Sequence, residues 1–398
     1  MRLQNLLKKK RLIIIGLNSG TSADGLDLAA IDFNFVPRLP QVNFLCGKTV
    51  PFASSLKRDI HKAINDKLNS IDALIRLDRR LGIFFGEEAN RFCNSLKRKG
   101  IVLDLIASHG QTIRHLPHGV IIDGRKLSGT LQLGHPESIA AKTGLITVAD
   151  FRQGDIASGG EGAPITTHAM WQIFSHNREN RLLINIGGIA NYFFFPAGGT
   201  PDRIQARDCG PGNSLLDIIT KKYFAKNFDH EGKIASRGNI SMRLVLLLLG
   251  DSFLLGRQGH STGRERFGDN FVEKIVNFSS KLKLNKTDIL ATATELTAIA
   301  IANSIKNQIV KYKIKKAYLL GGGLKNSFLI SRLEANLPDT TFVSVKQLGY
   351  DPDYLEAICY AVMGGLTICA IPTGLPHITG AKHKAIAGRI ILPPSRNE

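Results

Sequence analysis

GLNSGTSADGLDLAAIDF, residues 16–33, is the stretch on which the reading of this chain turns. The apolar run from Leu12 to Leu17 enters it, and a second, from Leu26 to Phe35, leaves it. Between them Gly20, Thr21, Ser22, Ala23, Asp24 and Gly25 form a tight polar turn, so the pattern predicts strand, glycine-rich loop, strand. Glycine lets a backbone turn sharply and approach a ligand closely. Successive N–H groups in such a turn make a concavity suited to phosphate. Asp24 and Asp27 are candidate ligands for a magnesium ion travelling with a nucleotide. An ordinary glycine-rich hairpin has the same pattern, and no Gly-Lys-Ser/Thr follows to make it a Walker loop.

The theme returns half a chain later. In LLINIGGIANYFFF, within residues 181–195, an apolar run, the pair Gly187-Gly188 and a second apolar run repeat the opening. Two such hairpins suggest an α/β fold built by duplication, with a nucleotide held between two lobes. A third glycine turn, Gly321-Gly322-Gly323, follows the strand-like run Ala317–Leu320, where a flat nucleoside could lie against bare backbone or a helix could pack closely.

Between these markers the chain alternates predicted helices and strands. Helices are expected over 54–67, 70–99, 136–142, 239–250, 287–313 and 326–336, with another from Asp351-Pro352 onward and Thr287 as a candidate N-cap. Ile101–Ala107 predicts a buried strand ending in a polar loop, SHGQTIRH, which contains His109 and Gln111. Ligands favour that end of a strand in α/β proteins. Leu145–Ala149 predicts a strand that ends at Asp150 and Arg152, followed by GDIASGGEGAP, a ligand-contacting loop or a flexible linker. Asp208 stands at a strand–turn–helix junction, IQARDCGPGNSLL, where a carboxylate is placed either for chemistry or for capping.

Composition narrows the class. The chain has 398 residues, enough for two domains, and 43% hydrophobic with 21% charged residues is ordinary for a globular protein. No apolar run is long enough to span a bilayer, and the basic start leads into the first strand. The net charge of +19 is spread through the chain without an aromatic platform or nucleic-acid motif, which argues against a nucleic-acid partner. Five cysteines without paired spacing argue against disulfides or zinc and for a reducing compartment. His109, His115 and His118 lack a Cys partner and are expected to bond to backbone or substrate from a loop.

Taken together, SGTSADGLD, SHGQTIRH, DFRQGDIASGGEGAP, NIGGIAN, DCGPGN, STGRE, TATELTA, GGGLKN, DPDYLEA and LPHITGA resemble, in one order and over nearly the whole chain, the anhydro-N-acetylmuramic acid kinase family. The resemblance implies the two-lobed actin/hexokinase-like (ribonuclease H-like) fold with a duplicated sheet-and-helix core and an interlobe cleft. The implied lobes are 1–150 with the first phosphate loop, 151–370 with the nucleotide site, and a tail, 371–398, returning to the first lobe. It implies a cytoplasmic enzyme of cell-wall recycling that uses ATP and Mg²⁺ to open the 1,6-anhydro ring and phosphorylate O6. Family members tend to be homodimers. The resemblance makes Asp208 the general base. It gives the phosphates and nucleoside to Gly20–Asp27 (Leu26 and Asp27 included), Gly187, Gly188 and Gly321–Gly323. It gives the sugar to His109, Gln111, Asp150 and Arg152. Asn18, Glu161 and Cys209 stand where Met, Gln and Thr are common. A kinase of the same fold acting on another sugar, or a nucleotide-binding regulator without turnover, would share the glycine loops.

Overall fold

Two sheets share one strand plan. The computed structural model describes residues 3–20, 23–36, 40–255 and 262–395. Its strands are β1 (Arg11–Ser19), β2 (Gly25–Asn34), β3 (Gln41–Pro51), β4 (Leu105–Ile122), β5 (Arg125–Leu133), β6 (Ile146–Ala149), β7 (Arg181–Ile186), β8 (Ile189–Phe195), β9 (Gln205–Pro211), β10 (Lys316–Leu320), β11 (Thr341–Ser344) and β12 (Arg389–Ile391). The first sheet runs β12-β6-β4-β1-β2-β3, with β5 paired to β4, and the second runs β11-β10-β7-β8-β9. In each, three antiparallel strands are followed by two that join in parallel. Thus β1 pairs antiparallel with β2 and parallel with β4, and β7 pairs antiparallel with β8 and parallel with β10. This is the duplication that the two glycine hairpins predict.

Packing divides the chain into Met1–Ile173 with Gly349–Glu398, and Phe174–Leu348. The boundaries expected at 150 and 370 therefore both fall inside the first unit. The reason is the helix Leu355–Ile368, which packs on β1, β2 and β4. Its small residues permit close approach: a Cβ added to Gly364 would stand 2.7 Å from the Ala107 Cβ. The helix Ile71–Lys97 covers the other face, where Leu77, Leu81, Phe85 and Ala89 join Ile15, Leu17 and Ile106 in one core. Hence β1 is an unbroken apolar run from Leu12 to Leu17, as a strand covered on both faces must be. In the second unit Leu182, Ile184 and Phe194 pack with Ile301 and Ile305 of the helix Lys286–Tyr312. Among the described residues no helix is long and apolar enough to cross a membrane.

Several expected boundaries move. SHGQTIRH is not a loop: it lies inside β4, whose pairing with β5 continues to Ile122. The long helix is capped by Asn285, which accepts from the Asp288 N–H, and not by Thr287. GDIASGGEGAP begins with a short helix, Gln153–Ala157, and is wound about a buried carboxylate. The Asp155 carboxylate accepts from the Gly162 N–H at 2.8 Å and the Thr379 hydroxyl at 2.7 Å. A flexible linker would not carry that anchor.

Candidate active site

In the second unit, β7 and β10 run in parallel and end together, with Leu320 beside Asn185. The chain leaves β7 through Gly187-Gly188 and leaves β10 through Gly321. The Gly321 φ of +83° is a left-handed value that a side chain would resist, and an added Cβ there would overlap Asn185 Oδ1. The carbonyls of Gly187 and Gly188 accept from the N–H groups of Asn213 (2.8 Å) and Gly212 (3.1 Å). The start of the helix Asn213–Phe224 is thus sewn to the Gly-Gly turn, and the Ser214 N–H also donates to Gly188. Those N–H groups are spent on the turn and are not free to receive an anion. A Cβ added to Gly322 would meet only Asn213 Nδ2, at 3.4 Å. That bare backbone borders a cavity of about 590 Å³, also lined by Asn213, Leu216, Phe228, Lys325 and Asn326. Its volume falls in the range of small-molecule sites.

Asp208 lies on β9 opposite Asn191 of β8. The register slips there: Ala190 faces Gly210 and Asn191 faces Asp208, leaving Cys209 as the extra residue of a bulge. Bulges re-aim side chains and are frequent beside active sites. The Asp208 carboxylate is half-buried and accepts from the Thr262 N–H at 2.8 Å. Asn191, missed by the sequence reading although it closes the NIGGIAN motif, places a buried Oδ1 with no hydrogen-bond partner across from it. Cys209 faces the other way, 3% exposed in the core with Ala298 and Ile301. Burial pushes its thiol up to about 12, so the sulfur is neutral and apolar in effect.

In the first unit the Gly20 turn follows β1. Thr21 and Ser22 lie outside the described residues. A Cβ added to Gly20 would meet nothing within 4 Å, whereas Ala23 and Leu26 are fully buried in the core, so only their backbone could serve a ligand. Gln111 is also fully buried. It accepts from the Ser19 hydroxyl at 2.5 Å and donates to the Gly20 carbonyl at 3.3 Å. It therefore sets the turn from behind and is not exposed to a sugar. The Asp24 carboxylate forms an ion pair with Lys57. Asp27 accepts from the Thr49 hydroxyl at 2.6 Å. Burial raises the Asp27 carboxyl, the Thr49 bond opposes this, and Asp353 adds to the rise. Among the described residues no group of three or more His, Cys, Asp or Glu gathers to hold a metal ion. Asn18 donates to Glu356 at 2.7 Å, which brings a carboxylate absent from the sequence-based set to the end of β1.

His109 and Arg152 come together. Arg152 donates through Nε to His109 Nε2 at 3.1 Å and through Nη1 to the Gly162 carbonyl at 2.7 Å. His109 is stacked on Tyr360, with ring centroids 4.4 Å apart. Burial, then the Arg152 charge, hold the His109 imidazole well below its ordinary value, so it is neutral and can accept from the guanidinium. Burial likewise pushes the Tyr360 hydroxyl far up. Asp150 follows β6 in a left-handed conformation, φ +58°, and accepts from Arg389 of β12 at 2.6 Å. Arg389 has no motif signature. Its partner is visible only once β12 pairs with β6.

The chain is similar to known proteins. The family model described as anhydro-N-acetylmuramic acid kinase matches residues 12–393. A protein of that name from Caldanaerobacter subterraneus subsp. tengcongensis is 34% identical over 397 residues, covering 98% of this chain and 100% of its own. One from Coxiella burnetii is 37% identical over 376 residues, covering 94% and 96%. Among solved structures, the activator of the 2-hydroxyisocaproyl-CoA dehydratase from Clostridium difficile, with bound ADPNP, aligns at 12% identity with a TM-score of 0.40, covering 89% of this chain and 94% of the other.

Proposed function

Since the chain belongs to the anhydro-N-acetylmuramic acid kinase family, we propose that it opens the 1,6-anhydro ring of anhydro-N-acetylmuramic acid with water and phosphorylates O6 from ATP. The product is N-acetylmuramic acid 6-phosphate, and the role is the recycling of cell-wall sugar. The observation that carries the reading is Asp208, a half-buried carboxylate aimed by a β-bulge and bonded by the Thr262 N–H. Asp208 takes a proton from the attacking water, whose oxygen bonds to the anomeric carbon. The C1–O6 bond breaks, O6 bonds to the γ-phosphorus, and ADP leaves with the electrons of the broken P–O bond. A glycosidase needs a second carboxyl to protonate its leaving oxygen. Here the phosphoryl group captures that oxygen, so a single base suffices.

Phosphoryl transfer asks for positioning and charge neutralisation. The reading gives the nucleoside to the cavity beside Gly322 and the phosphates to the backbone at Gly187-Gly188 and the Gly20 turn. A magnesium ion brought with ATP would offset the phosphate charge. Asp27 is the carboxylate best placed to receive it, because Asp24 is engaged by Lys57. Arg152, fixed on two sides by His109 and Gly162, is pre-organised for the lactyl carboxylate of the sugar. Five free cysteines suit the reducing cytoplasm, where we place the enzyme.

The test is incubation with ATP, the anhydro sugar and ¹⁸O-water, read by mass spectrometry. The expected product carries one phosphate and one heavy oxygen at the anomeric carbon. An enzyme that binds ATP and leaves the sugar unchanged, or a phosphorylated product without label, would overturn the reading. Cys209 gives a second expectation. Because its sulfur sits in the core, Cys209→Ala leaves kcat within about twofold and costs about 1 kcal/mol of stability. A large fall in kcat with an unchanged melting temperature would place the thiol in the reaction instead.

A further inference from the structure

The tail strand is fastened to the corner that carries Arg152. β12 pairs antiparallel with β6, setting Arg389 opposite Ala149, the residue before Asp150. Upstream, the Ala387 carbonyl accepts from the Thr367 hydroxyl at 2.5 Å, and the Ala385 carbonyl accepts from the N–H groups of Thr373 and Gly374. A Cβ added to Gly388 would stand 2.8 Å from Val148 and 3.1 Å from Phe151, and one added to Gly154 would stand 2.9 Å from the Ile386 carbonyl. The tail therefore lies in contact with both sides of the Asp150–Gly154 corner. Asp150 turns that corner with a φ that side chains rarely adopt, and such a conformation persists only where its surroundings hold it. The Arg389 Nε on Asp150 Oδ2 is the hold. Two residues further on, Arg152 reaches His109.

We propose that Arg389 is a positioning residue for sugar binding: through the Asp150 carboxylate it fixes the left-handed corner from which Arg152 is presented. The proposal rests on the reading that Arg152 binds the sugar. It assigns to the tail a contribution to KM that its distance in sequence conceals.

The charges around Asp150 give the proposal a signature. Arg389 from β12, Glu137 at the start of the helix Pro136–Thr143, and Asp78 from the helix Ile71–Lys97 line one cavity of about 120 Å³ with Asp150, together with His109 and His135. Burial pushes the Asp150 carboxyl up, Arg389 pulls it down, and Glu137 and Asp78 push it up again. Without Arg389 it rises further, and Asp150 is neutralised at a higher pH. Arg389 is 58% exposed, so the pair is also open to screening by salt.

The experiment measures KM for the sugar, KM for ATP, kcat and the pH profile of kcat/KM in wild type, Arg389→Ala, Arg389→Gln and Arg389→Lys. Melting temperature reports folding. In Arg389→Ala the sugar KM rises about tenfold, with kcat and the ATP KM nearly unchanged. The acid limb of kcat/KM moves up by about one pH unit. Arg389→Gln, which keeps most of the bulk, shows the same shift and decides the matter should the Ala variant fail to fold. Arg389→Lys restores the wild-type limb. Asp150→Asn added to Arg389→Gln removes the shift. Wild-type KM and pH profile in Arg389→Gln overturn the proposal, as does a rise in the ATP KM equal to that for the sugar. A wild-type enzyme that makes no phosphorylated sugar would instead overturn the functional reading.

Discussion

Asp208→Asn lowers kcat by about 10²- to 10⁴-fold, the span that general-base removal commonly costs. The two side chains are nearly the same in shape, and the amide oxygen of Asn can still accept from the Thr262 N–H that now bonds to Oδ2. The bulge at Cys209 is set by backbone register and by packing of the thiol, and neither changes. What is lost is the capacity to take a proton from water. The expected variant melts within a few degrees of wild type, binds ATP as tightly, and forms product too slowly to match wild type at any pH. ADP release coupled to sugar disappearance measures it. A kcat within tenfold of wild type would show that another group activates water.

Gly16→Ala destabilises the first unit strongly. The added Cβ would overlap the Ala357 carbonyl oxygen and stand 2.7 Å from its carbon. Both partners are backbone, one in a central strand and one in a buried helix, so no side chain can swing aside. Overpacking of this kind costs about 3 kcal/mol, the upper part of the usual range. For a unit of this size that lowers the melting temperature by about 6–12 °C. Gly20→Ala, four residues on, meets nothing within 4 Å among the described residues and is expected to melt like wild type. If the Gly20 turn receives phosphate, the same substitution raises the KM for ATP. Thermal melting of both variants separates the glycine that serves the fold from the one assigned to function. Equal melting temperatures for Gly16→Ala and wild type would show that the helix Leu355–Ile368 is not held against β1 as described.

Local pattern accounts for what could be read directly. The hairpins at Gly20 and Gly187-Gly188 are written in neighbouring residues, since strand alternation and glycine turns are set by the backbone of a few consecutive positions. The helix Ile71–Lys97 was legible from its apolar spacing and Ser70, whose hydroxyl accepts from the Ala73 N–H. The ordered series of motifs was likewise visible in the sequence, whereas Asp208, read as the end of a strand before a turn, lies within β9, which runs on to Pro211.

Other features depend on partners far away in the chain, and no local pattern encodes them. SHGQTIRH has the composition of a loop, yet β5 supplies the hydrogen bonds that keep it extended. Gln111 looks available for a ligand until Ser19 and Gly20 close over it. Asp24 stands in a local polar turn, yet its carboxylate pairs with Lys57, 33 residues away. Cys209 sits beside the base in sequence, but a one-residue bulge turns its sulfur into the core. The chain crosses back to the first unit at Gly349 because the helix Leu355–Ile368 finds its apolar complement on β1, β2 and β4. Sequence alone thus determined the repeated strand–turn–strand plan and the polar residues gathered in its motifs, because both are properties of short segments. Which of those residues face a ligand, and which are consumed in holding others, was decided by the tertiary structure, because burial and charge pairing exist only after distant segments meet.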